Sequence, residues 1–228
     1  MVVKRTLEKY SNKTEFHGEV ETSSSIPARS GLKSSSAAAN AIALATISAI
    51  GEEPHDDELI KIGIEASIES GVSLTGGFDD SYASYYGGAV LADNNKRSVE
   101  IVPTISKDLR IIILVPGVRN GQVPLDPSYF SSIRIISQVA YREATNGKLW
   151  DALTLNGLAF TSILGQNPGP ALASIAAGAL GAGLSGKGPA IAAVTTDEKA
   201  TQVRSSLERF DGQIIETRPS FEKASIKV

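Results

Sequence analysis

The 228 residues contain no cysteine, and that absence removes several chemistries at once. Without thiols there is no disulfide framework, no thiolate nucleophile and no zinc–thiolate site. The only two histidines, His17 and His55, stand far apart in dissimilar surroundings, so neither a histidine metal site nor a Ser-His-Asp triad is supported. Positive charge is not in excess either. The net charge is −3 and the pI near 5.5, which argues against a nucleic-acid binder with its basic face. No apolar run is long enough to span a bilayer. The nearest stretch, Ala171 to Leu184, is short and rich in alanine and glycine. The start, Met1 to Lys9, is charged and lacks the apolar core of a signal peptide, so a cytoplasmic protein is expected. Internal repeats and low-complexity linkers are also missing.

What is there suits a folded chain. Hydrophobic residues make up 42% and charged residues 21%, enough for a core in one large domain or two smaller ones packed together. Patterning predicts a helix end over 4–9, a strand over 15–22, and a helix over 36–49 stopped by Gly51. Asn40 is the only strongly polar side chain in the first half of that helix, which is expected to be buried on most sides. Asp56 or Asp57 is expected to cap a helix running to Ser70, with Gly71 as its stop. A hairpin follows, with strands over 89–92 and 98–102 about the turn Asp93-Asn94-Asn95. A β-branched strand over 109–115 is expected at the centre of its sheet. Helices are then expected over 128–146, 149–164, 171–180 and 198–210, strands over 190–195 and 213–217, and a final strand over 221–228. Strands and helices mix without regular alternation, which favours an α+β fold.

Two segments carry chemistry. The first is Ile26-Pro27-Ala28-Arg29-Ser30-Gly31-Leu32-Lys33-Ser34-Ser35-Ser36-Ala37, which runs straight into the small-residue helix. The first N–H groups of a helix lack partners, and its dipole is positive there, so an anion is favoured. Lys33 adds a full charge, and the serine hydroxyls add donors and a ligand type for magnesium. Simple capping by Ser34 or Ser35 is the competing reading. The second segment runs from Glu69 through Gly76-Gly77-Phe78-Asp79-Asp80 to Gly87-Gly88. Glycines before an acid pair let the backbone turn sharply. Adjacent aspartates cannot both aim at one substrate, so one is expected to be functional and the other structural.

Together these segments resemble the GHMP kinases. Pro-x-x-x-Gly-Leu-x-Ser-Ser, here Pro27 to Ser35, is that superfamily's signature loop, and Gly31 to Ala41 with Thr75 to Asp80 is similar to its archaeal shikimate kinase branch. Lys33, where most of the superfamily has glycine, is particular to that branch. The resemblance runs from about Val20 onward. It implies a two-lobed α+β fold: an N-terminal lobe with the phosphate loop over 1–105, and a C-terminal ferredoxin-like lobe over 106–228. It also implies ATP and Mg²⁺ as cofactors and shikimate as the small-molecule acceptor, with no nucleic acid or membrane involved.

Roles follow from the same resemblance. The loop from Pro27 through Arg29, Ser30, Gly31, Leu32, Lys33, Ser34, Ser35 and Ser36 to Ala37 would wrap the ATP phosphates. Asp80 matches the catalytic aspartate, with Lys33 beside it as a catalytic cation, and Ser35 matches the magnesium-binding serine. Glu69, eleven residues before Asp80, matches a second magnesium ligand, with Glu65 as the fallback. The late loop Gly181 to Ala190 would sit near phosphates and acceptor, with Gly186, Lys187 and Gly188 as candidates. Its Walker A-like spelling is rejected, because Gly188 stands where Ser or Thr is needed, a helix is expected before it and a strand after it. For the acceptor, Asp79 and a carboxylate-binding cation are candidates. Arg119 ranks first among Arg29, Arg119, Arg142 and Lys148 because it follows a strand end. Members of the family carry further strands before the region matching Val20. Their absence would leave a sheet edge open to self-association, as in a homodimer. Competing functions are another GHMP small-molecule kinase, with a homoserine or mevalonate-like acceptor, and a catalytically impaired nucleotide-binding protein.

Overall fold

Small side chains set the first packed layer. In the computed structural model, which describes residues 1–11, 15–71, 76–117 and 128–227, packing divides the chain into two units. Met1–Pro27, Lys33–Thr104 and Ser220–Val228 form the first unit; Ala28–Leu32 and Ile105–Pro219 form the second. The chain thus changes unit near residue 105, and it also visits the second unit briefly between Pro27 and Lys33.

The first unit contains α1 (Val2–Tyr10), α2 (Ser34–Ala49), α3 (Asp56–Glu69), α4 (Phe78–Tyr86) and the antiparallel pair β1 (Leu91–Asp93) and β2 (Ser98–Ile101). Alanine-rich α2 packs against α1, α3 and α4. Its small residues let α3 come close: a Cβ placed on Gly63 would lie 3.3 Å from the Ala39 methyl. Around α2 the core gathers Leu44, Ile47, Leu59, Ile60, Ile64, Phe78 and Tyr85. Each large aliphatic buried this way is worth about 1.5–3 kcal/mol relative to exposure.

The second unit runs β3 (Arg110–Val115), α5 (Ser128–Ser132), α6 (Arg134–Thr145), α7 (Leu149–Ile163), α8 (Gly169–Ala176), β4 (Gly181–Leu184), β5 (Ile191–Thr195), α9 (Asp197–Leu207) and β6 (Gln213–Thr217). The strands form one antiparallel sheet in the order β4-β5-β3-β6. Ile112 of β3 pairs with Ala193 on one side and Glu216 on the other, so the β-branched strand is central. Taken as β3, β4, β5 and β6 in chain order, with helices after the first and third, the unit is a split βαββαβ, or ferredoxin-like, arrangement.

Four expectations change. Residues 15–22 form no strand, and most of them are exposed. Alternation there meets no partner backbone. Residues 221–227 form no strand either; they lie as a strap on α4, with the Ala224 N–H donating to Tyr85 O at 2.7 Å. The cap of α3 is His55 without a side-chain bond, because Asp56 is turned to other partners. Finally, Gly181–Leu184 is strand β4, not part of a loop. Its small residues accommodate α7, since Gly183 and Gly157 meet backbone to backbone. The Walker A reading still fails, because antiparallel β5 follows where a helix is needed.

Candidate active site

In the first unit the site is built from two helix starts. Neither is capped by its own side chain. Lys33 precedes α2 in the left-handed region, φ 62, a backbone that costs a lysine about 1–2 kcal/mol. Capping by Ser34 or Ser35 is therefore not what starts α2. Gly77 precedes α4 at φ 61. A Cβ on Gly77 would stand 2.8 Å from the Asp80 Oδ2 atom, so glycine is what lets the carboxylate fold back over the helix start. The two starts meet, with Lys33 Nζ donating to Asp80 Oδ2 in an ion pair.

Asp80 is the better protected of the pair, its side chain 18% exposed against 37% for Lys33. Burial first, and then the negative charge of Asp79, push the Asp80 carboxyl above its ordinary value, while Lys33 pulls it down. Asp79 is held by its backbone, whose N–H donates to Asn94 Oδ1 at 3.3 Å. Behind the pair, buried Asn40 of α2 donates to Ser81 O at 2.9 Å and Ser84 Oγ at 2.8 Å on α4.

The acids proposed for metal lie at the other end of α3. Arg5 of α1 bridges them, Nη1 to Glu65 at 2.8 Å and Nε to Glu69 at 2.7 Å. Ser35 is exposed in the first turn of α2. Among the described residues no group of three or more His, Cys, Asp or Glu side chains gathers around one point. A hydroxyl and a carboxylate are nevertheless the oxygen donors that Mg²⁺ takes alongside substrate phosphates. The donor chemistry fits, with Arg5 as the resident cation that a metal at Glu69 would have to displace.

In the second unit, Ala28–Leu32 docks on the β4–β5 turn. Ala190 N–H donates to Ser30 O at 2.9 Å, and Ser185 Oγ donates to Gly31 O at 2.9 Å. Gly31, φ 84, faces Ser185 O so closely that no Cβ fits. Arg29, Gly31 and Lys33 all have positive φ, at 54, 84 and 62. Gly188 is buried in this docking, whereas Gly186 and Lys187 are exposed on the turn.

Of the acceptor candidates, Arg119 lies outside the described residues. Arg142 and Lys148 both approach Glu143, at 3.7 and 3.1 Å, and Arg29 is exposed. Sequence reasoning missed the roles of Arg5 and of the Asn40 bonds. It also missed a cluster that clamps α4: Asp56 accepts from Tyr85 and Tyr86 hydroxyls at 2.8 and 3.0 Å and pairs with Lys223 at 2.7 Å. Asn40 alone gave a signal, as a lone polar residue in an apolar helix.

A family model described as the GHMP kinases N terminal domain matches residues 1–88, and one described as GHMP kinases C terminal matches 170–212. This chain belongs to the GHMP kinase family. The match starts at residue 1, not near Val20 as the motifs alone suggested. Among GHMP kinase relatives, the shikimate kinase of Methanothrix thermoacetophila is 39% identical over 201 residues, covering 88% of this chain and 69% of that protein. The shikimate kinase of Methanothermobacter thermautotrophicus is 36% identical over 203 residues, covering 87% and 70%. In fold, the chain is similar to the Methanococcus jannaschii mevalonate kinase, with a TM-score of 0.70 at 20% identity over 96% of this chain and 74% of that one. Among the described residues, no helix is long and apolar enough to cross a membrane.

Proposed function

We propose that this GHMP kinase transfers the γ-phosphoryl group of ATP to the 3-hydroxyl of shikimate, giving shikimate 3-phosphate and ADP for aromatic amino-acid synthesis. The observation that carries the reading is the Lys33–Asp80 ion pair in a chain 39% identical to a shikimate kinase. The residue particular to that branch touches the residue matching the family's base.

The chemistry asks little covalent work of the protein. Ionised Asp80 accepts the proton of the acceptor hydroxyl as the new O–P bond forms and the bond from phosphorus to ADP breaks. General-base assistance of this kind is worth roughly 10²- to 10⁴-fold. Lys33 holds the carboxylate in place and brings positive charge to the developing charge on the transferred group. The loop over 27–37 is assigned to the ATP phosphates on the resemblance. A magnesium ion, which Ser35 and Glu69 would hold, supplies further charge neutralisation when bound. Asp79, Gly186, Lys187 and Gly188 are assigned to the acceptor on resemblance alone, and Arg119 as a carboxylate-binding cation that follows a strand end.

The test is ATP- and Mg²⁺-dependent phosphorylation of shikimate by the purified chain, with homoserine and mevalonate as competing acceptors and Asp80→Asn as control. Turnover on shikimate that vanishes in the control supports the reading. Turnover on a different acceptor overturns the substrate, and ATP binding without any turnover overturns the activity.

A further inference from the structure

Asn40 is 2% exposed, and apart from Ser36 its neighbours on the buried side of α2, Ala39, Ala43, Leu44 and Ile47, are apolar. Among the described residues its Oδ1 atom has no hydrogen-bond partner. A buried acceptor left unpaired is costly, so packing alone would favour an apolar residue here. What the amide adds is its donor group. Nδ2 donates to Ser81 O and Ser84 Oγ, and Ser84 Oγ itself donates to Ser81 O at 3.1 Å. Ser81 is the residue after Asp80. Asn40 is seven residues after Lys33, in the second turn of α2. The side-chain hydrogen bonds that join α2 and the residue before it to α4 include these two and the Lys33–Asp80 pair. Helix α4 has nine residues and no side-chain cap, so its own first turn does little to fix Asp80.

We infer that Asn40 is a positioning residue: its amide fixes the first turn of α4 against α2 and so sets how Lys33 meets Asp80. Its effect on turnover rests on the proposed kinase reading; its effect on the ion pair does not. Placement of a base within about 1 Å is worth as much as 10²-fold in rate.

Two measurements on the full chain test this. The first is a stability cycle of Asn40→Ala with Lys33→Ala, read by urea unfolding. Residues this far apart along one helix ordinarily act additively. The factor by which Lys33→Ala lowers the folding equilibrium constant is expected to shrink by about threefold or more in the Asn40→Ala background. The control is Ala43→Gly, a core change on the same helix, in whose background the Lys33→Ala factor is expected to be unchanged. The second measurement is turnover with ATP and shikimate. Asn40→Ala is expected to lower kcat about 10- to 100-fold, with KM for ATP held within about twofold, whereas Ala43→Gly leaves kcat unchanged. An unchanged Lys33→Ala factor in Asn40→Ala overturns the inference, as does wild-type kcat in that variant. A wild-type chain without turnover but with the coupling intact overturns the kinase reading and leaves the control of the ion pair standing. If Asn40→Ala does not fold, Ser84→Ala removes one of the two acceptors and carries both comparisons.

Discussion

Lys33 reaches Asp80 from a backbone conformation that lysine rarely adopts. The strained φ of 62 and the ion pair occur in the same residue, so the position trades local ease for the placement of a charge. Replacing Lys33 by glycine or alanine separates the two effects. Both variants lose the ammonium group, but only alanine keeps a Cβ in the left-handed region. Lys33→Gly is expected to be more stable than Lys33→Ala by about 1 kcal/mol in urea unfolding. Equal stabilities would remove strain from the account of this residue.

Asp80 gives a pH signature. Because burial and Asp79 hold its carboxyl above the unfolded-chain value, its contribution to folding is full at low pH and is lost as pH rises through the folded-state value. Asp80→Asn, neutral throughout, is therefore expected to gain stability on the wild type between acid and neutral pH. If Asp80 is the base proposed above, it must be ionised for catalysis, and kcat/KM is expected to rise with pH through the same value. Asp79→Asn removes a like charge and is expected to move that acid limb to lower pH. A limb that moves up instead would show that Asp79 acts otherwise.

The docking of Gly31 on Ser185 gives a contrast between two small changes. Gly31→Ala drives a methyl into the Ser185 carbonyl at a left-handed backbone position and is expected to cost more than about 2 kcal/mol. Ser185→Ala removes one hydrogen bond to Gly31 O and is expected to cost about 1 kcal/mol. Thermal unfolding of both variants checks the order.

The clamp on α4 titrates in the opposite sense to Asp80. Burial raises the Asp56 carboxyl, but Lys223 and the hydroxyls of Tyr85 and Tyr86 more than offset it, and the net value is lowered. Its stabilising contribution is present above the unfolded value and lost as pH falls through the folded one. Asp56→Asn is expected to flatten the acid end of the stability curve. Asp56→Ala, which leaves the fully buried Tyr85 hydroxyl without its acceptor, is expected to cost about 1–3 kcal/mol at neutral pH. Burial first, and then the bond to Asp56, push the Tyr86 phenol up to about 12, which ultraviolet titration reads directly.

Local chemistry was legible where it decides structure locally. Gly71 ends α3, Asp93 turns the hairpin by accepting from the N–H groups of Asn95 and Lys96, and the β-branched run at 110–115 takes the sheet centre. The phosphate-loop and aspartate motifs were legible because few sequences meet both. What stayed hidden depends on partners distant in sequence. Nothing around Glu69 announces Arg5, sixty-four residues earlier. Strand β4 reads as a loop because its glycines serve α7, not strand propensity. Residues 221–227 carry a strand-like pattern, yet what they find is the carbonyl of Tyr85 for Ala224 and two aromatic rings for the Lys223 ammonium group.

That strap has a consequence for the order of events on the ribosome. Residues 220–227 belong to the first unit but are synthesised after every residue of the second. Until they emerge, Gly88 lacks its bond to Ser220, Tyr85 lacks its bond to Ala224, and Asp56 faces two phenols without a cation. The helix that carries Asp80 is thus finished last, although its own residues leave the ribosome early, and the first unit waits on the second before it can close.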